Sequence, residues 1–213
     1  MLGFITRYFA KPTLASMDSA LTRDRLIQGG RIVFIEDESP LLIDELKRSG
    51  FSVDHDKSGD ALQNYDNQIY DVAIVDYHGV GRRLGPGQGL DVVKHIRRVS
   101  PRTRIIAYTS RSLAASESEF FRLSHDVLPK DFGLGDSLAL IEAQLRKALG
   151  KEHLFEALLA QLNLATDRER VHEALIKSLS RKDEGRFKKW LTDVVGNASV
   201  KGVEIILSKL FIH

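Results

Sequence analysis

Two periodicities alternate along the chain from Arg31 onward. "RIVFI" (31–35), "FSVDHD" (51–56), "YDVAIVD" (70–76), "TRIIAYTS" (103–110) and "DVLP" (126–129) are short, largely apolar runs without helical spacing, and they read as strands. Between and after them, "SPLLIDELKRSG" (39–50), "SGDALQNYDNQ" (58–68), "GLDVVKHIRRVS" (89–100), "SLAASESEFFRLS" (112–124) and "GDSLALIEAQLRKALG" (135–150) read as helices. In the first of these Pro40 stands near the first turn and Gly50 just past the end. In the third, Leu90, Val93, Ile96 and Val99 form one stripe. Strands alternating with helices predict an α/β fold: a five-stranded parallel sheet, doubly wound, with helices on both faces.

From Lys151 no strand pattern remains. "EHLFEALLAQL", "DRERVHEALIKSL", "GRFKKWLTDVVG" and "VKGVEIILSKLFI" each carry an apolar stripe, the last two through Phe187, Trp190, Leu191, Val194 and Val195 and through Val203, Ile206, Leu207, Leu210 and Phe211. The expected organisation is therefore an N-terminal, partly helical segment (1–30), an α/β domain (31–149) and a small all-α domain (150–213).

Composition narrows the function. Of the 213 residues 43% are apolar, enough for a packed core, and a net charge of +2 gives no overall basic surface for nucleic acid. No cysteine is present, which excludes disulfides, thiolate metal sites and a cysteine nucleophile, and suits a reducing cytoplasm. No apolar run approaches the ~18 residues of a membrane span. In "MLGFITRYFAKPTLASM", Arg7 and Lys11 interrupt any signal-peptide core. Met1, Leu2, Phe4, Ile5, Tyr8 and Phe9 instead form one sticky helical face, expected to pack on the protein or on a second copy. His55, His95, His125, His153 and His172 share no metal-ligand spacing, so zinc is not expected, and His153 reads as a solvated surface residue.

The chemistry is concentrated where the strands end. Val72, Ala73, Ile74 and Val75 run directly into a carboxylate, Asp76. In an open parallel sheet, ligands bind beyond the carboxyl ends of the strands. The first strand delivers Glu36 and Asp37 there, followed by Glu38; the third delivers Asp76, the fourth Thr109 and Ser110, the fifth Lys130. Clustered carboxylates repel unless a hard cation such as Mg²⁺ neutralises them. A carboxylate beside such a cation can attack a phosphoryl group and form an acyl phosphate, with a lysine and a hydroxyl receiving the phosphoryl oxygens. Asp76 is the residue positioned for that attack.

This constellation resembles the receiver domain of two-component response regulators. "FIEDES" is similar to the family's acidic pair after the first strand, "AIVDYH" to its phosphoacceptor strand, "IIAYTS" to the strand ending in a hydroxyl, and "VLPK" to the lysine strand. The resemblance spans Arg31 to Leu149. It implies that Asp76 is the phosphoacceptor and that Glu36 and Asp37 form the acidic pocket, with Asp37 the more direct Mg²⁺ ligand. It further implies that His78 offers its backbone carbonyl to the metal and that Thr109 and Lys130 contact the phosphoryl group. The partner is then a histidine kinase or phosphotransfer protein, and the chain's own chemistry is limited to self-phosphorylation from a phosphodonor and slow autodephosphorylation.

Three features depart from the family. Pro129 precedes Lys130 and Asp131 follows it, where the family's lysine is usually followed by proline. The position of the family's aromatic switch is Val127; Tyr108 is a poor substitute, because a strand neighbour of Thr109 faces the opposite way. The connection "HGVGRRLGPGQG" (78–89) is longer than usual, and Gly79, Gly81 and Gly85 do not fit a dinucleotide fingerprint. It reads as a flexible surface loop, or as a carrier of Arg82 and Arg83 that steers a phosphodonor.

The output is less legible. The helical segment from Lys151 carries eleven Lys and Arg against nine Asp and Glu, and its one basic concentration, "SRKDEGRFKK", is diluted by Asp183 and Glu184. It shows no helix-turn-helix pattern and no nucleophile–base pair. The expectation is an interaction module that forms a homodimer and engages a downstream protein partner, with the N-terminal segment covering part of it. The alternative is a DNA-binding transcription regulator.

Overall fold

The computed structural model describes residues 12–18, 21–110, 118–196 and 201–211. The expected apolar face of residues 1–9 and the first half of the helix expected over 112–124 lie outside the described residues. Two helices, α1 (Leu14–Met17) and α2 (Arg23–Gly29), precede the sheet. Its strands are β1 (Arg31–Ile35), β2 (Ser52–Asp56), β3 (Val72–Asp76), β4 (Arg104–Thr109) and β5 (Asp126–Pro129). They lie in the order β2-β1-β3-β4-β5, every pair parallel.

Side chains of successive strand residues point to opposite faces, and the core divides accordingly. Ile32 and Phe34 of β1, Val72 and Ile74 of β3, and Ile106 and Tyr108 of β4 face α2, α3 (Leu41–Arg48) and α6 (Leu134–Ala148). Val33 and Ile35, Ala73 and Val75, and Ile105 and Ala107 face α4 (Gly89–Val99) and α5 (Ser118–Leu123). Both sides of β1 and β3 are thus covered, which explains their near-continuous apolar sequences. The doubly wound α/β fold is as the alternation predicts.

Two local expectations change. Residues 58–68 form no α-helix but a single 3₁₀ turn, Leu62–Tyr65. The Asp56 carboxylate accepts hydrogen bonds from the backbone N–H of Ser58 and Gly59 and from the Tyr65 hydroxyl, and Asn67 and Gln68 adopt positive φ. These polar bonds hold the segment in turns where helical bonds would otherwise form. In α4, Val93 and Ile96 of the expected stripe are buried, but Val92 joins them while Leu90 and Val99 are only partly buried.

After α6 the described chain is helical: α7 (Lys151–Leu162), α8 (Arg168–Leu179), α9 (Glu184–Val195) and α10 (Lys201–Leu210). Their stripes converge on one core containing Leu154, Phe155, Leu158, Val171, Leu175, Phe187, Leu191 and Ile206. Leu14 of α1 packs into it, Phe211 is buried, and Trp190 is partly buried with its ring stacked on Phe187 at 5.9 Å. Among the described residues no helix is long and apolar enough to cross a membrane.

The helical region is pinned to the amino edge of the sheet. Asp71, immediately before β3, is fully buried between two cations: the Arg102 guanidinium and Lys209 Nζ, the latter 2.6 Å from its Oδ2. Lys209 also donates to the carbonyl of Gly29 at 2.9 Å. His153 is not a solvated surface residue: its Nε2 bonds the carbonyl of Arg102 at 2.8 Å, and burial pulls its pKa below the usual histidine range. Asp18 accepts the first helical N–H of α7, from Lys151 at 2.8 Å, and so caps that helix from a distant part of the sequence.

Candidate functional site

At the opposite, carboxyl edge, β1 ends before Glu36 and Asp37, and β3 ends on Asp76. Because β1 and β3 are neighbours in register, the three carboxylates converge: each offers an oxygen, and these atoms all lie within 4.8 Å of one another. Glu36 is 1% exposed and Asp76 6%, whereas Asp37 opens to solvent. Lys130, at the end of β5, reaches back across the edge to place Nζ 2.6 Å from Glu36 Oε2 and 2.9 Å from Asp76 Oδ2. Its backbone N–H donates to the Thr109 carbonyl at 2.8 Å, so the lysine is aimed by the β4–β5 ladder. Pro129 lacks an N–H but sits opposite Thr109 on an edge strand, where proline is tolerated.

The electrostatics follow from this packing. Burial pushes the Glu36 carboxyl upward, Lys130 pulls it back, and the adjacent Asp76 pushes it further; the balance is a raised pKa. Burial disfavours the charge on Lys130, but hydrogen bonds to Glu36 and Asp76 outweigh it and hold the ammonium above the usual lysine range. One lysine therefore serves two buried carboxylates, and a third stands beside them. An all-oxygen donor set of this kind suits a hard divalent cation.

Thr109 is buried at the end of β4, and His78 follows Tyr77 on the loop after β3, its ring edge-to-face with Tyr77 at 4.8 Å. Tyr108 points to the other face of the sheet, edge-on to Phe34 at 5.0 Å, as strand alternation requires. The 78–89 connection is not a loose surface loop. Val80 is fully buried, and the N–H of Gly81 donates to the Ser58 carbonyl at 2.6 Å. Gly89 must be glycine-like: a Cβ there would stand 2.1 Å from the Asp76 carbonyl oxygen. Sequence reasoning marked Asp76 as the carboxylate adjoining an apolar strand, yet overlooked Asp71 at the other end of that strand. The same signal, a carboxylate abutting "VAIV", was available, but its partners Arg102 and Lys209 are 31 and 138 residues away.

No family model matches the chain. The Transcriptional regulatory protein TctD of Salmonella typhimurium, in strains SL1344 and LT2, is 29% identical over 133 residues, 60% of this chain and 57% of the relative. The chain thus spans little more than half the length of the curated relatives it matches. Among solved structures, a CheY-like response-regulator receiver domain from Methanospirillum hungatei JF-1 is 16% identical (TM-score 0.47, covering 56% of this chain and 95% of that one). The response regulator TrrA from Thermotoga maritima, solved with Mg(2+)-BeF, is 24% identical (TM-score 0.46, 54% and 98%). The strands lie in the order β2-β1-β3-β4-β5, with acids at the ends of the adjacent strands β1 and β3 and a lysine just past β5, as the sequence resemblance implies. Over its α/β part the chain is similar to this curated transcriptional regulatory protein and to the solved receiver domains, and an all-helical region follows.

Proposed function

We propose that this protein accepts a phosphoryl group on Asp76 from a histidine kinase or phosphotransfer protein and passes the signal on through its helical region. The convergence of Asp76 with Glu36, Asp37 and Lys130 at one strand edge is the observation that carries this reading. An Asp76 carboxylate oxygen attacks the phosphorus of an N-phosphohistidine. The N–P bond breaks, its electron pair stays on the imidazole nitrogen, and an acyl phosphate forms on Asp76. Lys130 turns from the Asp76 carboxylate to a phosphoryl oxygen, and the Thr109 hydroxyl donates to another. Glu36, Asp37, Asp76 and the His78 carbonyl are the groups that would hold Mg²⁺, which when bound offsets the charge gathering on the phosphoryl oxygens. The three carboxylate oxygens within reach of one point fit that ion.

The units in this reading are the N-terminal segment 1–30, the receiver 31–149 and the output region 150–213, placed in the cytoplasm. Altered protein–protein contacts, including homodimerisation, are the output we favour. A second reading, phosphorylation-controlled DNA binding, draws on the printed name of the curated relative and on a groove between α8 and α9 where Arg170, Lys177 and Arg186 outnumber Glu173 beside Trp190. A duplex-DNA titration with steep salt dependence would select it.

The phosphoacceptor is tested by intact-mass measurement after incubation with Mg²⁺ and acetyl phosphate. One acid-stable, base-labile phosphoryl group is expected on the wild type and none on Asp76→Asn. Labelling that persists in Asp76→Asn refutes the assignment.

A further inference from the structure

The long loop after β3 brings a second cation to the acidic edge, and its construction shows which one. Both ends of the loop press against acidic residues of the site. At Gly79, φ is +86° and a Cβ would stand 2.5 Å from the Asp37 carboxylate; at Gly89 a Cβ would meet the Asp76 backbone. Between them the loop is tied down on its outer side. Gly81 N–H donates to Ser58, Arg83 N–H donates to the Asp60 carboxylate at 3.1 Å, and the Arg83 side chain lies 3.6 Å from that same carboxylate. Arg83 is therefore turned away from the site. Arg82 is turned toward it: its Nη2 lies 3.4 Å from Asp37 Oδ2, on the solvent-open side of the carboxylate, with 69% of its side chain exposed.

We propose that Arg82 is a donor-binding residue that exchanges partners during phosphorylation. In the metal-free pocket its guanidinium neutralises Asp37 and competes with the divalent cation for it. Once the cation takes Asp37, the guanidinium is released at the mouth of the site, where it meets the anionic oxygens of the incoming phosphodonor. An exposed pair at this distance is weak enough to exchange, and a guanidinium presents the paired donors that phosphoryl oxygens accept. Lys130 on the inner side and Arg82 on the outer side then bracket the phosphoryl group. This inference rests on the phosphoacceptor reading above, whose own test, labelling of Asp76→Asn, is independent of Arg82.

The experiment uses the full chain in two measurements. Calorimetric titration with Mg²⁺ alone, with no phosphodonor, is expected to show Arg82→Ala binding about three- to fivefold tighter than wild type, the effect of losing one exposed competing charge. At saturating Mg²⁺, the acetyl phosphate concentration giving half-maximal initial rate is expected to rise about fivefold in Arg82→Ala with the plateau rate unchanged, as loss of donor binding without loss of chemistry requires. Arg82→Lys is expected to restore most of both values, and Arg83→Ala to move neither. Unchanged or weakened Mg²⁺ binding in Arg82→Ala, or an unchanged half-saturation, overturns the proposal. The Mg²⁺ measurement needs no phosphoryl transfer, so it stands whatever Asp76→Asn shows.

Discussion

The two ends of β3 carry the same residue type in opposite circumstances. Asp71, before the strand, is fully buried and has two cations to itself, Arg102 and Lys209, themselves buried. Asp76, at the strand's end, shares the single Nζ of Lys130 with Glu36 and has Asp37 beside it. In formal charge the amino-edge cluster has one cation to spare, whereas the carboxyl-edge cluster keeps one carboxylate in excess even when both Lys130 and the exposed Arg82 are counted. The first arrangement is closed and holds the helical region on the sheet. The second is open and under-neutralised, the condition that the proposed cation and phosphoryl group require. A buried charge is structural when its partners complete it and chemically available when they do not.

The largest expected effect is at the closed end. Asp71→Asn leaves two buried cations without their anion, and a loss of about 3–5 kcal/mol is expected in urea unfolding. A change under 1 kcal/mol there would dissolve the contrast between the two ends. Lys209→Met should cost less, because the Arg102–Asp71 pair survives and an apolar side chain of similar length fills the space. The double mutant with Asp71→Asn should show non-additivity, the mark of a shared network.

At the open end the same substitution should act with the opposite sign. Asp76→Asn removes like-charge repulsion with Glu36 while the Lys130–Glu36 pair remains, so the Mg²⁺-free protein should gain about 1 kcal/mol in the same assay. Added Mg²⁺ should raise the wild-type unfolding midpoint and leave that of Asp76→Asn nearly unmoved.

Acid sharpens the comparison. His125, bonded to the N–H of Ile105, is pushed down to about 4 by burial and by Arg104 and Arg97, and His153 is lowered by burial as well. Their folded pKa values lie below the unfolded one, so the unfolded chain binds more protons between the two. The stability they contribute is complete above about pH 6.5 and is lost as pH falls toward 4. Unfolding midpoints at pH 7 and pH 5 should therefore differ less in His125→Asn than in wild type. The smallest expected effect is Asp18→Ala, which removes the distant cap of α7 and should cost about 1 kcal/mol. Its loss should leave acetyl phosphate labelling of Asp76 intact.

Alternating periods along residues 31–149 determined the strands, the helices on either side and the edge at which Glu36, Asp37, Asp76, Thr109 and Lys130 are delivered. That information is local, because a strand's end and a parallel crossover fix which side of a sheet each residue reaches. Tertiary structure decided the rest. The polar bonds of Asp56 turned an expected helix into a 3₁₀ turn, and packing buried Val92 rather than Leu90 beside Val93 and Ile96 in α4. It sent Arg82 rather than Arg83 to the acidic edge, since the anchor at Asp60 claims only one of two adjacent arginines. It also made Asp71, Arg102 and Lys209 one cluster. No spacing or composition announces such a cluster, because a buried charge is stable only where distant chain segments bring its counter-charges to it.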